Sequence, residues 1–428
     1  MNSVHTAVAV SVFALASCNV SPTIPKTTGG VVLPDAGPDA NVAGDGATAC
    51  DRGTTILLTD YTSTQIALAA PDGTPLSPAF LSTASTTASG LAYALSGDVA
   101  LPNTTPMSGR VVLIDSYGTN VITWADPQSA DVLAQLPVGT GFESNPQDYL
   151  ELDSLHAYVS RFGDNEAPGA QAFDSGSDVL VLSLQMPNPS IIGSIAMPVE
   201  EGLPPRPSGM VRVGAIVIVV LQRISDDFST YGESALVGLS NDAIAWEMHV
   251  TGLKNCGRPA ISPSGARMAL PCVGALDSSG APSDLASAGI AILDVTNSPP
   301  TILQEFKVSD QLGSPPDSQA SWMSETVIVG KTQTPLGAST NNQAFALDTT
   351  SGLATVLLTA QPGSNGQGEG VVYGDVRCSP GCGNVCMLAD SETGLLHRWQ
   401  IAAGGLQALS DIDVDPDTGL PPVGLSGY

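Results

Sequence analysis

The feature that most limits the fold of this chain is a pattern that recurs seven times along it. Each copy has a short apolar run, a turn rich in Asp, Asn, Ser, Gly or Pro, and a second apolar run, which is typical of a β-hairpin. Successive copies begin about 40 to 70 residues apart, as expected for four-stranded units repeated around a ring. The copies span residues 56–68, 111–124, 179–195, 235–246, 290–303, 344–358 and 387–399.

This repeat predicts an all-β fold, a single β-propeller of seven blades with four antiparallel strands each, over residues 50–428. In such a ring every blade buries both faces against its neighbours, which suits strands that are apolar throughout. The first unit, 54–80, lacks a first strand, and we expect segment 405–428 to supply it and close the ring. A ring of six or eight blades, or a pair of β-sandwiches, is the alternative.

A second kind of hairpin lies between these copies. Ser262-Pro263-Ser264-Gly265 has good turn chemistry, since Pro presets φ and Gly tolerates positive φ. It resembles the Ser-Pro-Asp-Gly turn of TolB-like and WD-repeat propellers, and Arg377–Gly381 resembles a second copy of it. Asp390–Trp399 resembles the turn and third strand of a WD-type blade. The resemblance implies a propeller but no particular function, because propellers host many functions.

The N-terminus predicts export and a lipid anchor. Ala7–Ala16 is ten small or apolar residues, too short to span a bilayer but suited to a signal peptide. Leu15-Ala16-Ser17-Cys18 then resembles a bacterial lipobox, which implies removal of residues 1–17 and acylation of Cys18. Asn19 in place of aspartate favours the outer membrane. Because 1–17 carries no Lys or Arg, an ordinary secretory signal is the alternative.

Residues 18–49 form a flexible tether in this interpretation. They are rich in Pro, Gly, Ala and Asp and contain no aromatic residue, so no packed element is expected. The strongest apolar run after it, Gly214–Leu221, has eight residues, the length of a buried strand. The mature protein would therefore be held at the membrane by its N-terminal lipid alone.

The charge of the chain excludes one class of partner. It carries 41 acidic against 14 basic residues, a formal net charge of −27. An acidic surface repels phosphate backbones, so we expect no nucleic-acid partner. It also offers no basic patch to anionic lipid headgroups.

Six cysteines besides Cys18 predict disulfides, since an even count in an exported chain is typical of them. Cys256 and Cys272 flank the hairpin at Ser262–Gly265 and form the best pair. A bond from Cys50 to one of Cys378, Cys382 and Cys386 would fasten the start of the folded body to its end. Free thiols, or a zinc site at the cysteine trio, are the alternatives.

The sequence contains no compact catalytic motif. It has no His-Glu-x-x-His and no Gly-x-Ser-x-Gly, and His156, His249 and His397 are far apart. No catalytic residue and no cofactor are therefore predicted, with calcium as the alternative at the alternating carboxylates of Asp411, Asp413, Asp415 and Asp417. That stretch departs from an EF-hand, because Thr418 stands where the turn glycine belongs and Gly424 has no carboxylate. An ordinary solvated turn explains it equally.

These observations favour a membrane-anchored lipoprotein whose propeller binds a protein or glycan through its loops. A propeller enzyme of the lactonase, quinoprotein or hydrolase type, with its site at the channel mouth, is the second hypothesis. A structural envelope component without a small-molecule ligand is the third. The enzyme would require Asp, Glu, His or Asn from three or more blades to meet within metal-ligand distance.

Overall fold

Seven antiparallel β-sheets, each of at least four strands, form the body of the protein in the computed structural model. The structure describes residues 50–83, 92–333, 342–360, 373–402, 405–415, 417 and 419–428. The predicted signal peptide (1–17), Cys18 and the tether (18–49) lie outside these residues. The predicted seven-bladed propeller is confirmed.

Blades 1 to 4 follow one another along the chain. Blade 1 begins with β1 (Thr54–Thr59), β2 (Thr64–Ala69) and β3 (Pro75–Ser82). Blade 2 has β4 (Val99–Ala100), β5 (Val111–Asp115), β6 (Val121–Ala125) and β7 (Val132–Pro137). Blade 3 has β8 (Pro146–Glu151), β9 (His156–Asp164), β10 (Gly176–Ser183) and β11 (Ser190–Ala196). Blade 4 has β12 (Pro207–Val213), β13 (Ile216–Leu221), β14 (Glu233–Ser240) and β15 (Ala243–Lys254).

Blades 5 to 7 repeat this plan with small additions. Blade 5 has β16 (Ala260–Ile261) and β17 (Arg267–Cys272), a side hairpin of β18 (Ala275–Leu276) and β19 (Pro282–Asp284), then β20 (Gly289–Asp294) and β21 (Thr301–Phe306). Blade 6 has β22 (Pro316–Trp322), β23 (Val327–Thr332), β24 (Gln343–Asp348) and β25 (Ala354–Thr359). Blade 7 has β26 (Tyr373–Ser379), β27 (Val385–Asp390), β28 (Leu395–Ala402), β29 (Gly405–Ala408) and β30 (Ile412–Asp413).

The last strand of the chain closes the ring. β31 (Pro422–Gly427) pairs antiparallel with β1, with Ile56 opposite Leu425, and becomes the first strand of blade 1. The predicted closure is therefore confirmed for 422–427. The earlier part of the predicted segment, 405–413, forms outer strands of blade 7 instead.

The apolar strands pack in seven separate cores, one between each pair of neighbouring blades. The core between blades 1 and 7, for example, contains Leu58, Ala67, Met387 and Leu396. Alternate residues of one strand enter different cores, because successive side chains point to opposite faces of a sheet. This is why β5 is buried at all five positions.

The seven sequence repeats fall one in each blade, but they are not the same part of each blade. In blades 1, 2 and 7 the repeat joins the second and third strands, and in blades 3 to 6 it joins the third and fourth. The reason is loop length. Blades 3 to 6 have long connections between the second and third strands, such as 165–175 and 222–232, so their tight hairpin comes one strand later.

Helix is confined to two short elements in the described part of the chain, a 3₁₀ turn at Leu285–Ser287 and α1 (Ser309–Leu312). Neither is long or apolar enough to cross a bilayer, and no other helix is found in that part.

Candidate functional site

The first strands of the blades all run in one direction along the axis, which gives the ring two different faces. Connections from second to third strands, and from one blade to the next, lie on the face where the first strands begin; we call it the loop face. Connections from first to second and from third to fourth strands lie on the opposite face, which we call the turn face. Cys382 lies on the turn face, because it sits in the connection between the first and second strands of blade 7. Cys50 lies there too, because it shortly precedes β1, the second strand of blade 1, and is bonded to Cys382.

Polar groups from all seven blades meet around the axis. They are the side chains of Asn103, Asp148, Arg258, Gln319 and Asp375 from blades 2, 3, 5, 6 and 7, and the backbone N–H groups of Met210 and Leu425 from blades 4 and 1. We call this set the axial layer. It lies along the first strands and separates the two faces of the ring.

Asp148 is the buried acid of the axial layer. Its carboxylate accepts hydrogen bonds from the backbone N–H groups of Asn103 (2.9 Å), Met210 (2.7 Å) and Tyr149 (2.8 Å). Burial raises the pKa of Asp148 to about 6, although Arg258 and these N–H groups oppose the shift. Asp148 therefore ties three blades together at the axis.

Asn103 reaches across the axis. Its amide nitrogen donates to the carbonyl oxygen of Pro259 at 2.8 Å and to that of Met210 at 3.3 Å, and both belong to blades that do not adjoin blade 2. Arg258 makes a second long-range contact, 3.5 Å from Asp375, which also accepts the N–H of Leu425. These contacts fill the axis with satisfied polar groups at this level.

A cavity of about 330 Å³ lies at the axis between Asn103 and the turn face. Its wall includes Thr105, Ser321, Arg377 and Ser379 together with the Asp51 side chain at the rim. A volume of this size matches the lower range of small-ligand sites. This axial cavity is the candidate site of the protein.

The rim of the cavity is held by a compact network. Arg377 pairs with Asp51 and donates to Thr105 Oγ1 at 2.7 Å, and that hydroxyl donates to Asp51 at 2.7 Å. Gly427 passes so close that a Cβ there would collide with Arg377 and Thr105. The absence of a side chain at Gly427 therefore allows β31 to seat against the rim.

Two residues of the cavity wall each carry a buried polar atom that has no hydrogen-bond partner among the described residues, Ser379 Oγ and Arg377 Nε. Ser379 is only 7 % exposed, so bulk water does not readily satisfy its hydroxyl. Buried polar groups are normally hydrogen-bonded, so an unsatisfied group beside a cavity requires an explanation. A guanidinium Nε can only donate, whereas a hydroxyl can donate or accept.

The structure pairs all six predicted cysteines. Cys256 joins Cys272 across the hairpin at Ser262–Gly265, which is the pair that the turn predicts. Cys50 joins Cys382 of the C-terminal trio, over a sequence separation of 332 residues. The remaining bond joins Cys378 to its cross-strand neighbour Cys386. The zinc alternative is therefore wrong, because every thiol of the trio is in a disulfide.

The predicted carboxylate run does not converge in the structure. Asp411 lies 3.0 Å from His397 Nδ1, Asp415 accepts from Gln65 Nε2 at 2.9 Å, and Asp413 accepts from the Asp415 N–H. Asp417 is described but Pro416 and Thr418 are not. A calcium ion at this turn stays a prediction.

His397 has the structural surroundings expected for a strand residue. Its Nε2 lies 2.9 Å from Asp390 and its Nδ1 faces Asp411. Burial acts to lower the pKa of His397, but hydrogen bonds to these two carboxylates outweigh burial and raise it. The ring thus links β27 and β28 to the turn before β30.

The other two histidines are not among the residues that line the axial cavity. His156 pairs with Asp153 at 3.1 Å, and His249 lies 3.3 Å from Arg223. Over the residues that the structure describes, no group of three or more His, Cys, Asp or Glu side chains is arranged to hold a metal ion. The enzyme alternative stays a prediction.

Sequence reasoning missed the residues of the axial layer. Asn103, Asp148, Arg258 and Asp375 come from four blades and lie more than 40 residues apart in sequence. No local motif contains any two of them. Their shared property is a position at or just outside a first strand, which is visible only once the strands are in register.

No protein-family model and no curated protein matches this chain. Solved structures of similar shape include a hypothetical selenium-binding protein from Sulfolobus tokodaii, with a TM-score of 0.57 and 10 % identity over 88 % of this chain and 94 % of that one. The Cps50 (Swd1) β-propeller domain of Myceliophteria thermophila gives 0.49 and 11 % over 84 % and 99 %. Dihydro-heme d1 dehydrogenase NirN gives 0.47 and 15 % over 91 % and 78 %. At these identities the likeness shows the propeller fold alone.

Proposed function

We propose that this chain is an exported binding protein, held at a bacterial envelope by lipid on Cys18, whose propeller takes up part of a protein or glycan in the axial cavity. The observation that carries the proposal is the axial cavity itself, two of whose lining residues, Ser379 and Arg377, each carry a buried polar atom without a hydrogen-bond partner. A group that brings an oxygen acceptor beside a hydroxyl or amide would satisfy both atoms.

Three disulfides support export. Disulfides persist in oxidising compartments such as the periplasm and the cell surface, and they are rare in the reducing cytosol. The Cys50–Cys382 bond also fixes the start of the folded body to the rim of the cavity. Outer-membrane attachment follows from Asn19 after Cys18 and belongs to the same proposal.

The anchor is tested by Cys18→Ser. We expect the variant to leave the membrane pellet and appear in the soluble periplasmic or medium fraction, because acyl chains cannot be attached to serine in this way. Ser21→Ala, three residues further along, should stay in the pellet. Membrane fractionation with intact-mass analysis of the N-terminal peptide reads both. A Cys18→Ser protein that remains with membranes would remove the anchor from the proposal.

The cavity is tested by Ser379→Ala, with Ser190→Ala on an exposed outer strand as the matched control. We expect the partner captured from the membranes of the source cell to be recovered about fivefold less with Ser379→Ala, the effect of one hydrogen bond. Equal recovery with both variants would contradict a ligand at this cavity. Capture should be repeated with a chelator, since release by chelator would support calcium at Asp411–Asp417.

A further inference from the structure

The most exposed aromatic side chains of the described chain share one face of the ring. All five that are more than a third exposed lie in loop-face connections, whereas exposed aliphatic residues such as Met107 and Leu155 lie on the turn face as well. The five are Tyr61 (67 %), Tyr93 (43 %), Tyr117 (64 %), Phe173 (37 %) and Phe228 (51 %).

These residues follow four neighbouring blades. Tyr61, Tyr117, Phe173 and Phe228 occupy the connection between second and third strands in blades 1, 2, 3 and 4, and Tyr93 lies in the connection from blade 1 to blade 2. We call the five residues the aromatic arc. Cys50 lies on the turn face, so the aromatic arc is on the side away from the start of the folded body.

Three members of the aromatic arc have an unfavourable backbone conformation. Tyr61, Phe173 and Phe228 have φ angles of 63°, 59° and 57°, in the left-handed region that Gly, Asn and Asp occupy more easily. Two of them are compensated within the chain, because the Phe173 carbonyl oxygen accepts hydrogen bonds from Arg161 and Thr140 and the Phe228 ring stacks on Phe162. Tyr61 is 67 % exposed, and a contact outside this chain would explain why its ring is retained.

The surroundings of the aromatic arc are acidic. The exposed carboxylates in or beside the loop-face connections of blades 1 to 4 are Asp60, Asp98, Glu143, Asp164, Glu166, Glu201, Asp226 and Asp227. The two arginines of these connections, Arg206 and Arg223, are 7 % and 2 % exposed and are paired with Asp226, Glu200 and Glu247. A partner would thus meet carboxylates and aromatic rings but no exposed cation in the described part of this surface.

The acids repel one another across the connections. Partial desolvation raises the pKa of Asp98, and the charges of Asp115 and Glu143 raise it further. Desolvation raises the pKa of the Tyr61 hydroxyl, and Asp98 and Asp375 add to that shift. Cations from a partner would relieve this repulsion.

The molecule already contains one example of the contact that such a partner would make. The Arg206 guanidinium lies 4.9 Å from the Phe162 ring centre and 6.0 Å from that of Phe228, and the two rings are stacked 6.3 Å apart. Asp226 pairs with the same guanidinium. A cation between aromatic faces and a carboxylate is favourable on both counts.

We infer that the aromatic arc is a docking surface for a Lys- and Arg-rich segment of another protein. Exposed rings supply the apolar and cation–π contacts, and the carboxylates between them supply the charge complementarity. The inference depends neither on the lipid anchor nor on the axial cavity, because it concerns the opposite face.

The test measures binding of a fluorescein-labelled ten-residue peptide of alternating Arg and Gly to the full-length protein. The arc variant carries Tyr61→Asn, Tyr117→Asn and Phe173→Asn, and the control carries Met107→Asn, Leu155→Asn and Leu353→Asn at exposed turn-face positions. All three proteins have the same net charge at neutral pH, so general attraction of the peptide to an acidic protein is equal. We expect the arc variant to bind about tenfold more weakly than wild type, and the control within about twofold.

Two further measurements complete the test. Removing three charges by Asp98→Asn, Glu143→Gln and Asp226→Asn should also weaken binding of the peptide to the protein. Binding of the peptide to wild type should decrease with added salt. Equal binding by the arc variant and wild type would overturn the proposal. A neutral oligosaccharide, cellohexaose, is the second probe; if it requires the aromatic arc and the peptide does not, the surface binds a glycan and the basic partner is wrong.

Discussion

The two faces of this propeller differ in the residues that they carry. The turn face carries the Cys50–Cys382 bond, the rim network of Asp51 and Arg377, and the close approach of Gly427. The loop face instead exposes the aromatic arc among carboxylates, with three of its rings on left-handed backbone. One face joins the ends of the chain, and the other presents side chains outward.

The difference shows that closure of the ring and variation of the connections are located on different faces. A propeller is closed by pairing its last strand with its first, so stability at that seam fixes all the blades at once. Once the seam is secured on the turn face, connections on the loop face can vary in length and residue type without opening the ring. The axial layer of Asn103, Asp148 and Arg258 lies between the two.

The largest expected effect concerns the seam. Replacing both Cys50 and Cys382 by serine opens a loop closed over a separation of 332 residues, and chain entropy then lowers the unfolding free energy by roughly 6 kcal/mol. Replacing both Cys378 and Cys386 removes a bond over only 8 residues, worth roughly 2–3 kcal/mol. Denaturant unfolding of the two double variants measures the contrast.

The Cys378 and Cys386 variant is the matched control, because both bonds involve the same connection of blade 7. A larger loss on removing the short bond would mean that local packing, and not closure of the ring, dominates the stability of the turn face. Cys256→Ser with Cys272→Ser should resemble the short bond, since its separation is 16 residues.

The seam could be predicted from the sequence and the axial layer could not, for a physical reason. A hairpin has a local sequence signal, namely two apolar runs joined by turn residues such as Ser262–Gly265. The number of blades, the missing first strand of blade 1 and the Cys256–Cys272 pair could therefore be predicted from residues that are close in sequence. The choice of Cys382 for Cys50 depends on the register of the closing strand. No local pattern fixes that register, so the sequence left three candidates.

The axial layer and the aromatic arc could not be predicted from the sequence, for the same reason. Asn103 bonds Pro259 only because blades 2 and 5 face each other across the axis. Tyr61 and Phe228 share a face only because each lies in the equivalent connection of its blade. The repeat itself obscured this equivalence, since the tight hairpin shifts by one strand in blades 3 to 6.

The second prediction concerns the layer between the faces. Burial raises the pKa of Asp148 to about 6 from an unfolded value near 3.8, so the folded state binds the proton more tightly. Stability from this group is complete below pH 4 and is lost as the pH rises to 6, a change of about 3 kcal/mol. Asp148→Asn should abolish this pH dependence in urea unfolding.

Asp60→Asn on the loop face is the comparison for Asp148. Hydrogen bonds from the backbone N–H groups of Ser63 and Thr62 lower the pKa of Asp60, so its contribution is present above the unfolded pKa and lost on acidification. The two variants should therefore change the slope of stability against pH in opposite directions. Parallel curves for wild type and Asp148→Asn would show that the axial carboxyl titrates normally.

The smallest expected effect tests whether the aromatic arc is kept at the expense of stability. Tyr61→Asn and Phe173→Asn place a residue that tolerates the left-handed region at φ angles of 63° and 59°, and each should raise the unfolding free energy by about 1 kcal/mol. Tyr117→Asn is the control, because Tyr117 is also exposed on the same face (64 %, against 67 % for Tyr61 and 37 % for Phe173) but does not have a positive φ. Thermal unfolding of the three single variants separates backbone strain from loss of a ring.

If Tyr61→Asn and Phe173→Asn are as destabilising as Tyr117→Asn, the rings support the fold and their exposure has no bearing on a partner. If instead they gain stability and lose peptide binding, the loop face holds its aromatic residues for contact, against the preference of its own backbone.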